Sequence, residues 1–264
     1  MDDAPKSTLT TTAMSLSVIE TLQELDGATM GQVAEELDIA TSTAFKHLIT
    51  LENQGYLLKE GQEYYPGLRF LNLGEYARSR RPERQLVEEA IEKLANRTEE
   101  EVDYIVQDHG RVITVSESYH KWAKYDEGDA TYRARLGDYY RMHATATGKA
   151  ILAEYPTEQV ERIIDRWGLP ARTENTITDR ETVAEELETI RERGYAYDME
   201  EFTEGLRSVG MVVRRPGTDR LASMSVSGPS YRLAGEVLRE EIPSTMRDVV
   251  DGLEERIEAL YTRS

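Results

Sequence analysis

Residues 28–67 read ATMGQVAEELDIATSTAFKHLITLENQGYLLKEGQEYYPG, and this stretch decides the fold of the first part of the chain. Thr29 with Gln32 three positions later forms a capping box, after which Val33, Ala34 and Leu37 fall on one face of a short helix through Asp38. Ile39 and Ala40 fill a tight turn. Thr41 or Ser42 can cap the next helix, in which Ala44, Phe45, Leu48, Ile49 and Leu51 are expected to face inward and which stops at Gly55. The period then falls to two. Residues 56–58 and 62–65 are expected strands, joined by a turn at Glu60 and Gly61 and closed by Pro66 and Gly67.

Upstream, residues 8–25 place Leu9, Met14, Val18, Ile19, Leu22 and Leu25 near helical spacing, with Asp26 and Gly27 as the stop. Helices followed by a two-stranded wing are the layout of a winged helix-turn-helix, whose second helix of the motif enters the major groove of double-stranded DNA. The solvent-facing positions expected on that helix are Thr41, Ser42, Thr43, Lys46, His47 and Thr50. Hydroxyls, one cation and one imidazole are groups that hydrogen-bond base edges or phosphates. A surface helix in a generic bundle shows the same pattern, and the attached wing favours the DNA reading. Charge opposes it, since residues 1–74 hold four cations against eleven anions. Arg78, Arg80, Arg81 and Arg84 just beyond are either phosphate contacts or a solvated linker.

The whole chain of 264 residues suits two domains, divided near Pro82 into a winged domain at 1–74, a linker helix region at 75–84 and a second domain at 85–264. Fifty acidic against 32 basic residues, of which 25 are Arg and 7 Lys, is a composition that keeps a protein hydrated and soluble in concentrated salt, and a halophile is expected. The absence of cysteine excludes disulfides, thiolate nucleophiles and cysteine zinc sites, and His47, His109, His120 and His143 are scattered, so no structural metal and no cofactor are expected. No apolar run approaches the ~18 residues that span a bilayer, and residues 1–18 lack a signal-peptide pattern, so no membrane partner is expected and the cytoplasm is the expected location.

Residues 86–94 continue as a helix, followed by strands around Val102–Val106 and Val112–Val115 with a hairpin turn at residues 108–110, and then by a polar loop over 119–129. Helices are expected near 148–154, near 157–167 and from Thr178, where Thr178 and Glu181 form a capping box. Strands follow at 195–199, 208–214 and 221–226, before a closing helix through Met246, Val249, Leu253, Ile257 and Leu260. This order implies an α+β domain with an antiparallel sheet.

Together with the winged segment, three further stretches carry a resemblance: HATATGKAILAEY at 143–155, RERGYAYDMEEFTEGLRSVGMVV at 191–213 and SMSVSGPSYR at 223–232. In this order they resemble the IclR family of transcription regulators over nearly the whole chain. The resemblance implies a GAF-like effector-binding domain whose pocket is lined by Ala146, Thr147, Asp198, Ser208, Gly210, Ser225 and Ser227. Many relatives carry a cysteine where this chain has Ser208, so ligand preference is not transferable. The hydroxyls, with the backbone amides near Gly148, suit a small carboxylate or sugar acid, Asp198 accepting from its hydroxyls.

Two enzyme readings fail on spacing. Lys149 follows Gly148 without the GxxxxGK pattern of a phosphate loop, and Ser225 or Ser227 with His143 and Asp198 lacks a G-x-S-x-G elbow, so no catalysis is expected. A single head reads few base pairs, so a homodimer or homotetramer is expected, pairing through the first helix and the linker helix with Leu68, Leu71 and Leu73 in the contact. The competing class is a ligand-sensing module that acts through protein partners without touching DNA.

Overall fold

The computed structural model describes residues 8–119, 136–216 and 221–262, and divides into two units, Met1–Arg80 and Arg81–Ser264. The expected loop at 119–129 lies, from residue 120 on, outside the described residues.

In the first unit α1 (Thr10–Glu24), β1 (Ala28–Thr29), α2 (Met30–Glu36) and α3 (Thr41–Asn53) precede the wing strands β2 (Leu57–Glu60) and β3 (Glu63–Pro66), and α4 (Arg69–Ser79) follows. The Thr29 capping box is formed: the Gln32 backbone N–H donates to the Thr29 hydroxyl, and the Gln32 carboxamide oxygen accepts from the Thr29 backbone N–H. Val18 and Leu22 of α1, Val33 of α2, Ala44 and Leu48 of α3, and Leu57 and Tyr64 of the wing make the core. Three details differ from expectation. Ala40, not Thr41 or Ser42, is the N-cap of α3, and no side chain bonds there. Phe45 is 49% exposed, because the inward stripe of α3 runs through Ala44, His47 and Leu48 and leaves position 45 about 100° to one side. The wing also gains β1, a two-residue strand that pairs with β3.

In the second unit, α5 (Arg84–Thr98) leads into β4 (Glu101–Asp108) and β5 (Arg111–Ser118), with β6 (Tyr139–Tyr140) after them. Then come α6 (Ala146–Ala153), α7 (Thr157–Trp167), α8 (Arg180–Arg193), β7 (Ala196–Met199), β8 (Leu206–Val213), β9 (Ala222–Pro229) and α9 (Ile242–Thr262). The hairpin between β4 and β5 turns on His109 and Gly110, both with positive φ (51° and 80°), the backbone that a tight two-residue hairpin requires. The six strands form one antiparallel sheet in the order β6-β5-β4-β9-β8-β7. Asp179, not Thr178, caps α8, its carboxylate accepting from the Thr182 backbone N–H at 2.9 Å; Asp competes for that position at least as well as Thr.

Strand alternation sends side chains to two different layers. Val102, Tyr104 and Val106 of β4, Val209, Met211 and Val213 of β8 and Met224 and Val226 of β9 pack against α5 and α9. The intervening residues face α6, where Ile105, Val212 and Ala196 join Ile151, Leu152, Val183, Leu187 and Ile190 of the helices. On β9 the intervening residues are Ser223, Ser225 and Ser227, all buried. A row of serines on a buried sheet face is polar lining that a packed core does not need.

Candidate ligand pocket and nucleic-acid interface

Cross-strand pairing assembles those alternate positions into two rows. Glu101, Ser227, Ser208 and Asp198 lie in register across β4, β9, β8 and β7, and Asp103, Ser225 and Gly210 form the next row. The start of α6 sits over the second row. It approaches so closely that a Cβ on Gly210 would lie 2.5 Å from the backbone carbon of Ala146 and 2.6 Å from the nitrogen of Thr147. Gly210 therefore lets the helix dock; it is not among the lining residues of the pocket beside it. The other six residues named from the resemblance, Ala146, Thr147, Asp198, Ser208, Ser225 and Ser227, all line that one pocket of about 440 Å3, counted with its opening to solvent.

The site is held by a polar frame. The Thr145 hydroxyl caps α6, accepting from the Gly148 N–H at 3.0 Å. Ser208 donates to Ser227 at 2.9 Å. Asp198 is 2% exposed and its Oδ1 accepts from the backbone N–H groups of Glu201 (2.7 Å) and Phe202 (3.3 Å), so one oxygen organises the loop after β7. Burial, and then the negative charge of Glu201, push the Asp198 carboxyl up to about 7. Glu201 in turn is paired at 2.5 Å with Lys149, whose ammonium is buried inside α6's packing. That settles Lys149 as a structural ion-pair partner.

Residues beyond those expected complete the lining: Glu101, Asp103, Tyr140, Thr145 and Phe202, with Ile105 and Leu206 as apolar wall. Asp103 is 4% exposed, and its Oδ1 has no hydrogen-bond partner. Burial, and then the charges of Glu101 and Glu117, hold its carboxyl well above the usual range, offset in part by the Ser225 hydroxyl. A signal for it existed in the sequence, because a lone carboxylate at the centre of the apolar run Val102–Val106 is costly unless it has a task.

His143 does not join this pocket. Its ring Nε2 pairs with the Pro170 carbonyl at 3.1 Å and it lines a separate cleft with Trp167 and Ile164, while burial lowers its pKa. With Ser227 bonded to Ser208 and Asp198 to backbone amides, the triad considered above is not assembled. Among the described residues no three His, Asp or Glu groups are placed to hold a metal ion, and no helix is long and apolar enough to cross a membrane.

On α3, Thr41, Ser42, Lys46 and Thr50 are exposed and Thr43 is half-buried. The Thr50 hydroxyl donates to the Lys46 carbonyl at 2.6 Å. His47 does not face solvent as expected: it is 8% exposed, and its Nδ1 pairs with the Ser15 hydroxyl at 2.8 Å, tying α3 to α1. The physical reason is its spacing from Ala44 and Leu48, which puts it on the inward stripe. Lys46 is the cation of α3, and Lys59 of the wing lies over the Tyr64 ring at 5.0 Å.

Known proteins match both units. Residues 78–253 match the family described as bacterial transcriptional regulator IclR C-terminal, and residues 13–61 match the IclR helix-turn-helix domain. The chain is 28% identical over 252 residues to a probable HTH-type transcriptional regulator ArcR of Halobacterium salinarum, covering 95% of this chain and 94% of that one. It is 27% identical over 232 residues to the transcriptional repressor IclR of Escherichia coli, covering 85% and 82% respectively. Among solved structures, the Thermotoga maritima IclR is 25% identical with a TM-score of 0.67, covering 94% of this chain and 97% of that one. An IclR homologue of Microbacterium hydrocarbonoxydans in complex with 4-hydroxybenzoate shares the fold at a TM-score of 0.76 and 20% identity, covering 94% and 99%.

Proposed function

Because the chain belongs to the IclR family of DNA-binding transcription regulators with a ligand-binding C-terminal domain, we propose that the pocket between α6 and the sheet seats a small metabolite that sets operator affinity. The observation that carries this reading is the convergence of Ala146, Thr147, Asp198, Ser208, Ser225 and Ser227, drawn from four separate elements, on one pocket. The bound 4-hydroxybenzoate of the Microbacterium homologue supports a small organic effector as the kind of occupant. A metabolite that binds one arrangement of the C-terminal units better than another shifts the population toward it, and with it the spacing of two DNA-reading heads. The protein acts as a regulator and not as an enzyme, in the cytoplasm of an organism that keeps concentrated salt.

In this reading α3 enters the major groove, with Lys46 on a phosphate and Thr41, Ser42 and Thr43 toward base edges. The second head comes from a second copy of this chain. Leu9 and Leu16 of the first-helix region and Leu68, Leu71, Leu73 and Tyr76 in and beside α4 are all at least 45% exposed, apolar area that pairing of two copies would cover. The boundaries taken from sequence, a reading head at 1–74, a linker at 75–84 and an effector domain from 85, serve this arrangement. Mass spectrometry of ligand released from the purified protein, followed by a gel shift in molar potassium chloride with and without that ligand, tests the proposal. Operator affinity should change with ligand in the parent and not in Ser208→Val; an equal response in both overturns it.

A further inference from the structure

Resting on the reading that this pocket seats the effector, we infer that the effector carries a positively charged nitrogen, an ammonium or guanidinium, held by Asp103 and walled by Tyr140 and Phe202. The serines and the start of α6 by themselves suit a carboxylate or a sugar acid, which was the expectation from sequence. The structure adds two acidic side chains, Glu101 and Asp103 on β4, to the expected Asp198 on β7, and among the described residues no Lys or Arg lines the pocket. The nearby Lys149 is engaged with Glu201. A carboxylate effector would add a fourth acidic group to a site that already holds three and offers no cationic partner among its described lining.

Asp103 decides the direction. It is 96% buried, in a strand that fixes where it points, and one of its carboxylate oxygens lacks a partner. Buried polar atoms in folded proteins are rarely left so, and a donor brought by the ligand supplies what the fold omits. While the pocket is empty, burial and the charges of Glu101 and Glu117 favour the protonated acid. A cationic nitrogen takes the place of that proton, which leaves to solvent, and converts an unpaired acid into a charge-assisted hydrogen bond. Tyr140 and Phe202, edge to face with ring centroids 5.2 Å apart, form an aromatic wall of the same pocket, a surface that attracts alkyl groups and cations together. The start of α6 lines the pocket too, so an amino-acid-like zwitterion satisfies both ends.

The test uses the full chain in molar potassium chloride and four probes that share one alkyl chain: pentylammonium, pentylguanidinium, pentanoate and pentanol. Isothermal titration of the parent should show at least one cation binding about tenfold or more tightly than pentanoate, the effect of one charge-assisted hydrogen bond. Asp103→Asn, which keeps the shape but cannot ionise against the cation, should bring that preference below about threefold, and Ser208→Val should weaken whichever probe binds. Glu101→Gln, at a less buried position, gives the same comparison through a second variant and should weaken the cation alone. Pentanoate or pentanol binding as tightly as the cations, or no probe binding, overturns the cation assignment. If pentanoate binds and Ser208→Val removes it, the effector pocket stands without its cation. Cations that bind the parent, Asp103→Asn and Ser208→Val alike would place the site elsewhere and overturn the pocket reading as well.

Discussion

Replacing Lys149 by Met removes the partner of Glu201 from a site where both side chains are nearly out of water, 2% and 6% exposed. Glu201 Oε1 then keeps only the Met199 backbone N–H at 3.4 Å, and its Oε2 already has no partner. An uncompensated buried charge of this kind costs about 3–5 kcal/mol. The reverse change, Glu201→Met, is expected to cost less, because Lys149 still has Glu186, 25% exposed and 3.8 Å away. The double variant, with two apolar side chains of similar volume, should lie within about 1 kcal/mol of the parent, since the pair repays mainly its own desolvation. Trp167 packs under Arg111 and Arg141 in the second unit, so its fluorescence change during urea unfolding of the full chain reports the unit that holds the pair. For a unit of this size 3–5 kcal/mol corresponds to a drop in Tm of roughly 6–20 °C. A Lys149→Met loss below about 1 kcal/mol, or equal losses for the two single variants, would refute the reasoning from burial and asymmetry.

Lys46→Ala should weaken operator binding and reduce its salt dependence by about one counterion without moving Tm, whereas His47→Ala should lower Tm, because it cuts the Ser15 tie and opens space beneath α3; the opposite split in a paired binding and melting experiment would exchange their roles. Gly210→Ala should cost at least about 2 kcal/mol and blunt any ligand response, since its Cβ meets the backbone of Ala146 and cannot be relieved by a side-chain rotation; a urea midpoint unchanged from the parent would contradict the docking geometry. Asp198→Asn carries a pH signature. The folded-state pKa of about 7 lies above the ordinary 3.8, so the stability this carboxyl contributes is full below about pH 4 and is lost as pH rises toward 7. The asparagine can still accept from Glu201 and Phe202, so relative to the parent it should gain stability as pH rises from about 4 to about 7; a relative loss over that range would reverse the sign.

The helix-turn-helix and wing were legible because local signals agree there: a capping box, a short apolar stripe, and a switch of period at Gly55. Two positions on α3 differ: His47, expected to face outward, is buried, and Phe45, expected to face inward, is exposed. The small Ala44 and the polar His47 share a face with Leu48, while the bulky Phe45 does not, and residue type argued against position. In the second unit the strands were found approximately, and their serines were picked from a resemblance that says which positions meet. Asp103 and Glu101 were missed because their membership in the pocket depends on β4 pairing with β9, a contact between segments more than a hundred residues apart. Tyr140 lies on a two-residue strand with too little pattern to read, and Phe202 on a loop held in place by Asp198.

The central claim is that α3 reads DNA under control of this protein's own C-terminal pocket, and the most direct measurement is a titration of labelled DNA from the gene's upstream region in molar potassium chloride. The parent should retard one fragment that scrambled DNA of the same length does not displace, and Lys46→Ala should need several-fold more protein to do so. Ligand extracted from the purified protein should change the parent's midpoint and leave that of Ser208→Val unmoved. Equal retardation of specific and scrambled DNA, or the same midpoints for parent and both variants with and without the extract, would contradict the account.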